Sequence, residues 1–232
     1  MTSHRSTAAT FLRRLEEARA EERAAGATRV PMRRIFALAK EHIDTPPDEI
    51  ERLLEEPDVE PRIGAVSIMD WQGRRRSTSD ERREALYELY LRRHDRIDDW
   101  HLVDRAAPHV VGRFLADRGR DPLYALARSP DQWERRTAIV STWYFIRAGD
   151  LEDTFGIAEI LVDDPADLVR KAVGGWIREA GKRSPEHLAA FLDRHAATMP
   201  RVTLRYAVEH LTPERRAHYL GLARRSGAPV DP

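Results

Sequence analysis

One short motif recurs along the second half of the chain at a nearly constant interval. The segments "RTAIV", "RKAVG" and "RYAVE" begin at Arg136, Arg170 and Arg205, and each has Arg, any residue, Ala and then Ile or Val. The three arginines are 34 and 35 residues apart, and "RIGAVSIM" at 62–69 is an earlier variant. A period of this length on helical segments indicates stacked helix pairs, that is, an α-solenoid.

The pattern between these motifs is helical throughout. Segments such as "MRRIFALAKEHI", "DEIERLLEE" and "LVRKAVGGWIREAG" carry apolar residues at intervals of three and four, and turn signals such as "SPDQ", "SPE" and "TPE" separate them. No stretch alternates long enough to indicate a strand. We therefore expect an all-α protein, a superhelix of HEAT-like helix pairs, because the tetratricopeptide signature is missing and the Arg/Ala/Val core is typical of HEAT repeats. Its concave face would suit an extended ligand.

We expect one HEAT-like-repeat domain over residues 1–232. Within it, residues 1–30 or so should form a less regular N-terminal helix, residues 30–220 the repeat array, and residues 221–232 a flexible tail. The first residues carry charges where a signal peptide needs an apolar run, and no apolar run reaches membrane-spanning length. The expectation is a cytoplasmic monomer without a membrane partner.

The composition excludes several kinds of chemistry. The chain has no cysteine, so disulfides, thiol catalysis and cysteine-bound zinc are ruled out. The nine histidines show no metal-ligand spacing, and there is no glycine-rich phosphate loop, Gly-x-Ser-x-Gly motif or calcium loop. We expect no metal and no cofactor.

The charge distribution leaves a nucleic-acid partner open. The net charge is zero, which by itself argues weakly against such a partner. Residues 41–60, however, contain nine acids and one arginine, a balance of −8, so the rest of the chain carries +8. Nearly all the basic residues are arginines, which suit bidentate phosphate contacts. A GC-rich gene would also produce many arginines, so the arginines could reflect either phosphate binding or codon usage.

The segment "DDWHLVDRAAPHVVG" at 98–112 places Trp100 and Asp104 four residues apart, on one face of a helix. In the structural interpretation, Trp100 packs between helices and Asp104 pairs with Arg105 or Arg136. In the functional interpretation, a cation lies against the ring and the carboxylate, since both stabilise positive charge. A neutral or anionic ligand would gain nothing from this pair.

Other aromatic and basic residues are weaker candidates from pattern alone. Periodicity favours a structural role for Arg136 as the repeated HEAT arginine. Trp71 is expected to be structural, and Trp133 and Trp143 to belong to the core. Trp176 could stack on a ligand, although the glycines before it suggest close helix packing.

Four segments taken in order, "DDWHLVDRAAPHVVG", "WERRTAIVSTWYFIR", "DLVRKAVGGWIREAGKR" and "ATMPRVTLRYAVEHL", resemble the AlkD-like family of DNA alkylation repair proteins. "GAVSIMD" followed by "LYLRRHDRIDDWHLVD" is the most specific part of this likeness, which runs from about Val30 to Leu220. The family consists of HEAT-like-repeat DNA glycosylases. The resemblance therefore implies the same fold and activity for this chain.

The resemblance also implies roles for individual residues. The family's catalytic carboxylate falls on Asp104, its aromatic neighbour on Trp100 and its active-site arginine on Arg136. A further family tryptophan aligns with Gly175, so Trp176 is a candidate to replace it. The N-terminal aromatic residue that often contacts the lesion has no counterpart between Phe11 and Phe36. The residues expected to contact DNA are Arg135, Arg170, Lys171 and Trp176.

The implied function is excision of cationic N3- or N7-alkylated purines from duplex DNA, which leaves an abasic site, without base flipping. The alternative is a catalytically inactive HEAT-like module that binds DNA structures or protein partners, which the zero net charge slightly favours. An RNA-binding repeat protein would need a base-reading code on each repeat, and the inner helices vary too much to provide one.

Overall fold

A computed structural model describes residues 6–225 of the chain, with side chains through residue 222. Every regular element in these residues is a helix. The chain divides into two compact units, residues 1–114 and 115–232.

The first unit contains helices that begin at N-caps visible in the sequence. Thr7 and Thr10 form a reciprocal capping box at the first helix, and Asp58, Ser79 and Asp99 cap three later ones. A 3₁₀ turn spans His94–Arg96 and a π-helical segment spans Pro108–Gly112. The α-helices are α1 (Ala8–Ala24), α2 (Met32–Glu41), α3 (Pro47–Glu55), α4 (Val59–Arg74), α5 (Asp80–Arg92), α6 (Trp100–Ala107) and α7 (Arg113–Leu115), the last at the boundary.

These helices form two layers. Helix α4 packs between α2 and α6, while α1, α3 and α5 cover the other side. The core between the layers is apolar, with fully buried side chains such as Phe11, Ile35, Leu53 and Met69. We call α2, α4 and α6 the inner helices of the first unit, since each follows an outer helix in the chain as the second member of a HEAT-like pair.

The second unit repeats the arrangement. Helix α12 packs between α9 and α14, and these three are the inner helices of the unit; α8, α11, α13 and α15 pack against them. Arg136, Arg170 and Arg205 each lie on one of these inner helices, so the repeated motif marks the second helix of each pair. The helices are α8 (Asp121–Leu126), α9 (Gln132–Ser141), α10 (Trp143–Ala148), α11 (Glu152–Leu161), α12 (Asp167–Gly181), α13 (Pro185–His195), α14 (Arg201–Ala207) and α15 (Pro213–Arg225).

The all-α class and the HEAT-like helix pairs are confirmed. The chain forms two compact units, and the expected single domain over 1–232 stays a prediction. Within the expected N-terminal segment, α1 is a helix of 17 residues, and residues 1–5 lie outside the described part of the chain. The expected tail at 221–232 begins inside α15, and its residues 226–232 lie outside the described part of the chain. Among residues 6–225, no helix combines the length and apolar character needed to cross a bilayer.

Candidate active site

Trp100 and Asp104 lie one turn apart on α6. Asp99 caps the start of this helix by accepting a hydrogen bond from the backbone N–H of His101, and its carboxylate also holds the His101 ring, with 2.7 Å between Oδ1 and Nδ1. Trp100 is therefore fixed at the first helical position. The residue is 49% exposed, the highest value among the large hydrophobic residues of the described chain, whereas Asp104 is half-buried. The indole is therefore accessible to solvent one helical turn from the carboxylate.

The helix changes its hydrogen-bond pattern at Pro108, one turn after Asp104. Pro108 has no backbone N–H to donate to the carbonyl of Asp104 four residues earlier. The backbone instead follows a π-helical path through Gly112, in which the N–H of Arg113 reaches the carbonyl of Pro108. Such π-segments occur frequently at functional sites. The sequence therefore places a local widening of the helix beside the candidate carboxylate.

Arg105, one of the two partners expected for Asp104 in the structural interpretation, lies against another acid. Its Nη2 atom is 3.1 Å from Oδ2 of Asp70, a fully buried residue on α4. Burial lowers the pKa of the Arg105 guanidinium, as does neighbouring Arg74, while Asp70 opposes the change. The ion pair of Arg105 is thus with Asp70 on α4.

In the second unit, Arg136 is buried, with 6% of its surface exposed. Its Nη1 atom donates to the backbone carbonyl of Leu168, at the start of α12. The side chain thus links two successive inner helices, as a HEAT-repeat arginine does. This contact agrees with the structural role that periodicity favours, and it also fixes one edge of the guanidinium.

Two further arginines meet at Asp164, which is buried in the turn before α12. Arg135 directs both Nε and Nη2 at this carboxylate, with Nη2 at 3.1 Å from Oδ1, and Arg170 donates to the Asp164 backbone carbonyl. The hydrogen bonds that Arg135 donates to Asp164 raise the pKa of the Arg135 guanidinium. Both expected DNA contacts therefore have partners within the protein: Arg135 joins α9 to the turn before α12, and Arg170 joins α12 to the same turn.

The other two DNA candidates lie on α12. Lys171 is half-exposed, and its Nζ atom is 2.6 Å from Oδ2 of Asp167, one turn earlier, which raises the lysine pKa. Trp176 is half-buried, and its indole N–H donates to the carbonyl of Val140 on α9 at 3.1 Å. Trp176 thus holds two helices together.

Gly174 and Gly175 differ in their surroundings although they are neighbours. A Cβ atom on Gly174 would lie 2.4 Å from the carbonyl oxygen of Thr203 on α14, so the glycine allows close helix packing. A Cβ atom on Gly175, where the family tryptophan aligns, would meet no atom within 4 Å. The close packing suggested by the sequence therefore depends on Gly174, while Gly175 faces open space.

Over the part of the chain that the structure covers, no three or more His, Asp or Glu residues are grouped in a way that could hold a metal ion. The residues expected at the site contribute indole, carboxylate, guanidinium and ammonium groups. Trp100 and Asp104 lie in the first unit, and Arg135, Arg136, Arg170, Lys171 and Trp176 lie in the second.

A family model described as "DNA alkylation repair enzyme" matches residues 4–211, which is nearly the whole chain. No curated protein matches the chain significantly. The family match confirms the resemblance found in the sequence and supports a role in DNA repair. The chain therefore belongs to the DNA alkylation repair enzyme family.

Proposed function

We propose that the protein is a DNA glycosylase that excises cationic N3- or N7-alkylated purines from duplex DNA. The observation that carries the proposal is the pairing on α6 of the exposed Trp100 with the half-buried Asp104, in a chain of this family. The pair suits a ligand that is positive in its ground state or becomes positive as it reacts.

Hydrolysis breaks the bond between C1′ of the deoxyribose and the purine nitrogen. The bonding electrons leave with the base, which loses its positive charge and so departs without a general acid. The sugar becomes oxocarbenium-like, and a water oxygen then bonds to C1′ and releases a proton. In this proposal Asp104 stabilises the cationic sugar and orients the water, accepting its proton. The products are the free base and an abasic site.

Trp100 presents its ring face to the same positive charge. A cation over an indole gains about 0.5–2 kcal/mol, depending on how far it is desolvated. The exposed ring can approach a lesion that remains in the duplex, so base flipping is not required of this site. Substrate choice then depends on the charge of the lesion itself, and neutral lesions should be poor substrates.

We assign to Arg136 the positioning of a backbone phosphate next to the lesion, as the family resemblance implies. Phosphate contacts orient the duplex and carry no sequence information. The hydrogen bond to the Leu168 carbonyl supports this assignment, because it holds one edge of the guanidinium in place.

The experiment is release of free base from duplex DNA that contains N7-methylguanine. The wild type should release the base, and Asp104→Asn should lower the rate by at least about 10²-fold while DNA binding is retained. Asp80→Asn is the matched control, since it removes a carboxylate with 79% side-chain exposure from the outer helix α5. Equal rates for Asp104→Asn and wild type would refute the assigned role of Asp104.

One observation favours the non-catalytic binding module instead. Arg136 is buried and donates to a backbone carbonyl, a contact that a purely structural repeat arginine would also make. If the wild type binds duplex DNA but releases neither N3- nor N7-alkylated bases, the binding module becomes the better assignment.

A further inference from the structure

Three cations surround the ring of Trp71 on the inner helices of the first unit. Lys40 Nζ lies 5.1 Å from the ring centroid, the Arg74 guanidinium carbon 5.7 Å and the Arg105 guanidinium carbon 5.3 Å. These residues come from α2, α4 and α6, respectively. We refer to Lys40, Asp70, Trp71, Arg74 and Arg105 as the Trp71 cluster.

The Trp71 cluster carries an excess of positive charge. Its one carboxylate, Asp70, is fully buried and lies beneath the cations. Asp70 Oδ1 accepts a hydrogen bond from Arg74 Nε at 2.8 Å, and Oδ2 faces Arg105 Nη2 at 3.1 Å as an ion pair without hydrogen-bond alignment. Nδ1 of His109, in the π-helical segment, also lies 2.9 Å from Asp70 Oδ1. Without counting His109, three cations against one carboxylate leave a balance of +2.

The buried Asp70 also determines how Arg74 is presented. Because Nε donates to Asp70, the guanidinium is held by its inner edge. Its two Nη atoms make no hydrogen bond with any residue in the described range, and the side chain is 44% exposed. A guanidinium fixed in this way offers a two-donor fork, the geometry that suits phosphate oxygens.

Lys40 adds a second accessible donor. Its side chain is exposed, and its contact in the described structure is with the Trp71 ring rather than with a carboxylate. The ring itself is held in place, because its Nε1 atom donates to the Phe36 carbonyl on α2 at 3.2 Å. The single carboxylate of the cluster cannot neutralise all three cations.

We infer that the Trp71 cluster binds the phosphodiester backbone of duplex DNA through Lys40 Nζ and the two Nη atoms of Arg74. The inference extends the proposed function by adding a DNA contact on α2 and α4 to the catalytic pair on α6. It also supplies a DNA contact toward the N-terminal end of the chain, where the sequence lacks the family's aromatic residue. Phosphodiester oxygens would balance the uncompensated charge and use the free donors.

The test is the salt dependence of binding to undamaged duplex DNA, measured by fluorescence anisotropy. The variant is Lys40→Gln/Arg74→Gln. The matched control is Arg13→Gln/Arg52→Gln, which removes the same charge from the outer helices α1 and α3, where these side chains are 65% and 64% exposed. Thermal melting verifies that both double variants remain folded.

Losing two phosphate contacts should reduce the slope of log affinity against log salt by about 1.8 in magnitude, at about 0.9 per contact. The control double variant should keep the wild-type slope. If both double variants change the slope equally, or neither does, the inference is wrong.

Base release by the same proteins separates this inference from the proposed function. Wild-type base release together with an unchanged slope for Lys40→Gln/Arg74→Gln would overturn the Trp71 cluster contact alone. DNA binding that depends on the cluster without any base release would support the contact and overturn the glycosylase. A wild type that does not bind duplex DNA would overturn both.

Discussion

Two adjacent glycines of α12 should respond differently to the same substitution. Replacing Gly with Ala inside a helix stabilises the folded protein by about 1 kcal/mol, because alanine loses less backbone entropy on folding. At Gly175 the added methyl group meets nothing within 4 Å, so Gly175→Ala should gain this amount in full.

At Gly174 the same gain is opposed by a clash. The new Cβ would lie 2.4 Å from the Thr203 carbonyl oxygen and 2.7 Å from the Tyr206 Cβ, and neither atom can move without shifting α14. Overpacking of this kind costs about 1–3 kcal/mol. Since the helix-propensity gain is common to both variants, Gly174→Ala should be less stable than Gly175→Ala by about 1–3 kcal/mol.

Urea denaturation followed by far-UV circular dichroism measures this difference directly. Each kcal/mol should also shift Tm by roughly 2–4 °C for a chain of this size. Equal stabilities for the two variants would show that α12 and α14 do not pack as closely as described. Base release should remain near the wild-type level in Gly175→Ala, which checks that the gain in stability does not disturb the site.

Three other outcomes are expected. Asp164→Ala should lower the free energy of unfolding by about 3–5 kcal/mol, because it leaves the part-buried Arg135 without its carboxylate, and an unchanged urea midpoint would contradict this. Burial and the hydrogen bond to Asp153 raise the pKa of Tyr124 from 10.0 to about 12. Between these pH values the native state keeps a proton that the unfolded state has lost, so the free energy of unfolding should fall as pH rises through this window. The fall should be less steep in Tyr124→Phe. An ultraviolet titration of Tyr124 with a midpoint near 10 would contradict the raised pKa. Trp100→Ala should reduce kcat/KM roughly 2- to 30-fold with little change in Tm, since its ring is exposed, and a large drop in Tm would indicate a packing role instead.

The repeat and the helical pattern were sufficient to predict the fold class. A period of 34 and 35 residues on helical segments leaves few ways to bury the apolar faces, and Arg136, Arg170 and Arg205 do lie on successive inner helices. The division into two compact units was not predicted, because it depends on contacts between helices rather than on local pattern.

Side-chain partners were the harder part of the site. Arg105 was expected as a possible partner of Asp104, but its ion pair is with Asp70, 35 residues earlier in the chain. The hydrogen bond from the Trp176 indole to the Val140 carbonyl could not be predicted from the sequence either. A helical period identifies which face a residue occupies, but which atom it meets depends on the rotation of the neighbouring helix. The accessible donors of the Trp71 cluster were overlooked for the same reason.

Trp71 and Trp176 make the same kind of contact in different units. Each indole N–H reaches the carbonyl of a residue on the preceding inner helix, Phe36 and Val140, at 3.2 and 3.1 Å. In a repeat array, stability is approximately the sum of intrinsic terms and nearest-neighbour coupling terms. These two indole hydrogen bonds contribute to the coupling term. Removing either one should therefore lower the stability of both helices that it joins. Amides of α9 and α12, or of α2 and α4, should therefore exchange with solvent as joint blocks rather than helix by helix.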